Sequence, residues 1–146
     1  METKTDTNTA LLDFIYQNAE MGKQTIPQLL ESAEDPEFRK VVSSQLREYE
    51  DICRAAKDML HSEEADVKGV GPMAKISSYL SVNFNLMIDK TTSSMAEMMM
   101  KGSNMGIIEI TQKLKEFPDA DSAVLSLGQK LLKTEERNVE QLKKFL

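Results

Sequence analysis

Tryptophan is absent from the 146 residues, aromatic residues make up 5%, and histidine and cysteine occur once each. A single Cys53 excludes an intrachain disulfide, and a lone thiol suits a reducing compartment. One histidine, His61, excludes zinc motifs built on several imidazoles or thiolates. Glycines number 6 and prolines 4, gathered at a few points, so the long stretches between them read as helices. No apolar run approaches the length of a membrane span. Basic residues are outnumbered, 18 against 24 acidic, giving a net charge of −6 with the two signs interspersed. That balance argues against phosphate-rich nucleic acid and against anionic membranes as partners. The polar start, Met1 to Thr9, has the apolar core of neither a signal peptide nor an anchor, and residues 1–8 are expected to be a disordered tail. The expected location is the cytoplasm.

What is abundant is methionine, at 10, and apolar residues at helical spacing. Helix-type periodicity predicts a first helix from about Asn8 to Ala33, with the stripe Leu12, Ile15, Ala19, Gly22, Ile26, Leu29 and Ala33. Pro27 lies inside it, but the stripe resumes in phase, so one helix is expected with a kink there. Asp35-Pro36-Glu37 restarts the chain as an N-cap, a first-turn proline and an acid at the positive helix end. The second helix carries Phe38, Val42, Gln45, Tyr49, Ile52, Ala56 and Met59 and runs to about Glu63. A connector over 64–72 ends at Gly69, Gly71 and Pro72. A further apolar helix is expected from Met73 to Ile88. The third helix spans about Thr92 to Glu116 and stops at Pro118. The fourth is capped by Asp119 or Asp121 and runs to the C-terminus, with Val124, Gly128, Leu131, Glu135, Asn138, Leu142 and Phe145 inward. Two short loops make two helical hairpins, and the long 64–91 segment joins them. The expected fold class is therefore all-α: an antiparallel four-helix bundle, residues 9–146 as one domain, with an extra helix in the crossover.

The hairpins resemble each other. Matching Met21-Gly22 with Met105-Gly106 also aligns Ile26 with Ile110 and, with a two-residue insertion in the second turn, Phe38 with Val124, Leu46 with Leu132, Cys53 with Val139 and Leu60 with Leu146. The same alignment places Ala19, Tyr49, Ile52, Ser103, Glu135 and Asn138 at one level of the bundle.

Two hairpins, one crossover and these six inward positions resemble the ferritin-like superfamily, closest to rubrerythrin-like and other bacterial members, over residues 10 to 146. Such proteins hold two irons with a Glu on each of two helices and Glu-x-x-His on each of the other two. The resemblance implies that Ala19 and Ser103 stand at the single-Glu positions. It likewise implies that Tyr49-x-x-Ile52 and Glu135-x-x-Asn138 stand in the Glu-x-x-His slots. Glu135 alone keeps a ligand. The expectation is a lost di-iron site, no metal, no cofactor and no catalytic residue, with Tyr49, Ser103, Glu135 and Asn138 forming a residual polar site in the core.

Other readings have named residues. A metalloprotein with a reduced or relocated site would use Glu20, Glu48, Glu50 or Glu135, and a small-ligand binder would keep a pocket at the same level. Met95, Met98, Met99, Met100 and Met105 could hold Cu(I), but adaptable core filling with a sticky surface is the stronger reading. Cys53 reads as a buried thiol and His61 as a solvated residue near the negative end of a helix. Glu63, Glu64 and Asp66 lack calcium-loop spacing, and Gly69-Val70-Gly71 reads as a turn. The expected role is association without catalysis: a homodimer, or a protein partner met through the Met-rich face and helix 73–88. Membership of a coat or stress-associated structural family is an analogy of fold alone.

Overall fold

The computed structural model describes residues 3–63 and 90–146. Among them the regular structure is helical throughout: α1 (Lys4–Ser32), α2 (Pro36–Ser62), α3 (Thr92–Glu116) and α4 (Ser122–Lys143). The expected helix 73–88 and the turn at Gly69 to Pro72 lie outside the described residues, as do Glu64 and Asp66. No helix among the described residues is long and apolar enough to cross a membrane.

The chain start corrects one expectation. Helix α1 begins at Lys4, within the segment expected to be a tail. Thr3 and Asp6 form a capping box: the Asp6 N–H donates to the Thr3 hydroxyl, and the Thr3 N–H donates to the Asp6 carboxylate. This reciprocal pair satisfies helix-end donors that would otherwise favour fraying. Pro27 does not break α1, which continues to Ser32. Helix α2 opens as expected, with the Phe38 N–H donating to Asp35 Oδ1 at 2.8 Å and Pro36 in the first turn. Helix α3 is capped by Thr91, which accepts from the Ser94 N–H, and ends before Phe117 and Pro118. Helix α4 ends at Lys143 rather than at the last residue, and Leu146 is exposed. Its repeat counterpart Leu60 is fully buried, so the final aligned pair differs in surroundings.

Asp121 precedes α4 but makes no side-chain cap to its own helix. Its carboxylate is engaged by Asn8 Nδ2 at 2.9 Å and by Lys4 at 3.2 Å. Asn8 in turn accepts the Asp121 N–H at 2.8 Å and donates to Glu63 at 3.0 Å. A residue of α1 thus caps α4 and ties down the end of α2. Asn8→Ala should destabilise the protein by about 1–2 kcal/mol in urea unfolding, because it removes these bonds and leaves partly buried groups unpaired.

The four helices pack around one core. Helix α1 lies chiefly on α2 and α3 on α4, and α1 also touches both α3 and α4. The predicted stripes are the core: Leu12, Ile15, Ile26, Leu29, Phe38, Val42, Ile52 and Leu131 are buried. The methionine face needs correction as a surface. Met95, Met98 and Met99 are buried, and Met100 and Met105 are only partly exposed. Helix α3 turns these side chains into the bundle, where a flexible thioether fills irregular space.

Candidate functional site: a polar level inside the bundle

Apolar stripes from the four helices converge around a polar level at mid-height. Ala19 on α1, Tyr49 and Ile52 on α2, Ser103 on α3, and Glu135 and Asn138 on α4 are all buried. Tyr49 donates from its hydroxyl to the Glu135 carboxylate, 2.9 Å from each oxygen. Asn138 Nδ2 donates to the same Tyr49 oxygen at 3.1 Å. The Ser103 hydroxyl also hydrogen-bonds in this group and favours the charged form of Glu135. The structure thus brings Tyr49, Ser103, Glu135 and Asn138 together. Ala19 and Ile52 add only apolar bulk to the level.

Two glycines admit these side chains. A Cβ at position 22 would lie 2.6 Å from ring carbons of Tyr49, so the ring rests directly on the α1 backbone. A Cβ at position 106 would lie 3.3 Å from both Glu135 Cδ and Asn18 Nδ2. The glycine of each Met-Gly pair therefore faces one of the two residues, Tyr49 and Glu135, that the sequence repeat aligns with each other.

Electrostatics follow from burial. Glu135 is 2% exposed, and desolvation pushes its carboxyl up to about 7 against the opposing pull of Ser103 and Tyr49. Tyr49 is raised well above the usual phenol range, first by burial and then by the neighbouring carboxylate, so it remains a protonated donor.

Asn18, one residue before Ala19, did not stand out in the sequence. It is 1% exposed, and neither its amide oxygen nor its amide nitrogen has a hydrogen-bond partner among the described residues. Period counting followed one seam of α1, through Ala19. Because α1 touches three other helices, a second side of it is also buried, and Gln17 and Asn18 lie there. A small cavity of about 20 Å³ opens beside Asn18, with Tyr49, Ser103 and Glu135 on its polar side. Met21, Met98 and Met99 lie on the other.

Of the other acidic candidates, Glu20 and Glu50 both lie near Cys53, and Glu48 stands apart from them. Glu20 is 3.6 Å from Cys53 Sγ and 4.0 Å from Lys23, and Glu48 pairs with Arg137 at 3.0 Å. His61 is exposed in the last turn of α2. Among the described residues no group of three His, Cys, Asp or Glu side chains could hold a metal ion. Cys53 is buried, its thiol pushed up to about 12 chiefly by burial and then by Glu20, so the reactive thiolate is disfavoured.

No family model and no curated protein matches the sequence. The fold is similar to that of a solved structure: YcfI from Rhodopseudomonas palustris, described as "a putative structural protein", aligns with a TM-score of 0.75 at 15% sequence identity. The match covers 97% of this chain and 94% of that one, and at this identity it shows a shared fold.

Proposed function

We propose that the chain is a non-catalytic bundle of ferritin-like type, with a lost di-iron site, that acts in the cytoplasm by self-association or by binding a protein partner. The observation that carries this reading is the Tyr49 ring. It rests on Gly22 and puts its hydroxyl on both oxygens of Glu135, the one carboxylate at the ligand level. A phenol there fills space that a metal centre would need, and it holds the carboxylate in a hydrogen bond. Contacts between helix ends support the antiparallel arrangement. Asn8 near the start of α1 meets Glu63 at the end of α2, and Glu37 at the start of α2 meets Lys144 beyond the end of α4. The description of YcfI as "a putative structural protein" favours the same reading.

Association is tested on the full chain by light scattering across a concentration series. A homodimer is expected, and a strict monomer at the highest concentration would exclude self-association. The alternative of a relocated metal site draws no support from Glu20 and Glu48, which already pair with Lys23 and Arg137. A core ligand of drug size finds no room in a cavity of about 20 Å³.

A further inference from the structure

The Asn18 amide is sealed in the core with both of its polar ends unmatched. Native cores seldom leave such a group unsatisfied, because it surrenders its hydration for nothing. Most other polar atoms of the level are committed: Tyr49 to Glu135, Asn138 Nδ2 to Tyr49, and Ser103 to the same group, while Asn138 Oδ1 also lacks a partner among the described residues. Asn18 Nδ2 and Glu135 Oε1 each come within 3.3 Å of the same point, the place a Cβ would take on Gly106. The two therefore flank one backbone position without bonding to each other, and the cavity of about 20 Å³ adjoins them. A cavity of roughly 10–15 Å³ on this measure is enough for one water.

We propose that this cavity is a binding site for one water-sized molecule that both donates and accepts hydrogen bonds, namely a buried water held by Asn18 and Glu135. The chemistry of the wall selects this occupant. Asn18 Nδ2 needs an acceptor, while Asn18 Oδ1 and Glu135 need donors. Water supplies both. An ammonium ion only donates and leaves Nδ2 unmet, and a metal ion accepts no proton from an amide. The thioethers of Met21, Met98 and Met99 also line the cavity and do not compete for these bonds, since sulfur is a weak acceptor. The water would join α1 to α4 beside Gly102 of α3 and so extend the polar level that Tyr49 and Asn138 begin.

The test is water-selective NMR magnetisation transfer on the nitrogen-labelled full chain. Direct transfer from a long-lived water to the Asn18 side-chain amide protons is expected, and it should persist in Ser103→Ala, where no Ser103 hydroxyl can relay it. Absence of transfer to Asn18 in the unmodified protein would overturn the proposal. So would loss of the transfer in ammonium chloride but not in sodium chloride, because the occupant would then be a cation. As a second measurement, water relaxation dispersion should count one fewer long-lived water in Asn18→Leu than in the unmodified protein. An unchanged count would contradict the site.

Discussion

Stability should fall as the pH rises from about 4.5 to about 7, and Glu135→Gln should remove that part of the fall. The folded-state carboxyl titrates near 7, above its ordinary 4.5, and burial is the leading cause. In this window the unfolded chain has released the proton and the folded chain has not. The unfolded state therefore binds fewer protons, and stability drops with pH. The contribution is fully present below the unfolded value and is lost as pH passes the folded one. A shift of this size corresponds to roughly 3 kcal/mol. The check is urea unfolding at a series of pH values, read as the difference between the unmodified protein and Glu135→Gln. Gln keeps an oxygen for the Tyr49 hydroxyl, so the variant should be the more stable protein at pH 8. A parallel pair of curves would mean that Glu135 ionises in the fold as it does in the unfolded chain.

The second large effect belongs to Tyr49. Tyr49→Phe removes a donor to both Glu135 oxygens and the acceptor of the Asn138 bond. Orphaning buried groups in this way costs about 1–3 kcal/mol. The same change deletes one of the two hydrogen bonds that oppose the upward shift of Glu135, so the pH-dependent fall should extend further toward alkaline pH. Replacing both residues, as Tyr49→Phe with Glu135→Leu, should cost less than the sum of the single changes, because the double variant leaves no carboxylate without its phenol. Simple additivity would show that the two side chains do not act as a pair in solution.

Much of this was readable from the chain. Apolar spacing located the buried faces of all four described helices, and Asp35-Pro36 marked the start of α2. The polar interruption at Glu135 and Asn138 could be found because it broke a run of apolar residues at regular spacing. Its partner Tyr49 followed from aligning Met21-Gly22 with Met105-Gly106.

What escaped the reading depends on contacts between distant segments. The Thr3 and Asp6 capping box carries a local pattern, but without apolar residues to extend it there was no stripe to follow. Asn8 acts through Asp121, 113 residues away, and no local rule announces that bond. Asn18 was hidden because a helix buried on more than one side has no single stripe. The methionines of α3 look alike on a surface and in a core, and only packing decides between them.

The account rests on the claim that the polar level around Glu135 is a hydrogen-bonded core and not a metal centre. Metal analysis of the full chain, purified from iron-supplemented cells without chelators, tests this most directly. Well under one iron per chain is the expected result, since Glu135 is the single carboxylate at the level and Tyr49 is hydrogen-bonded to it. Two tightly held irons per chain would contradict the account.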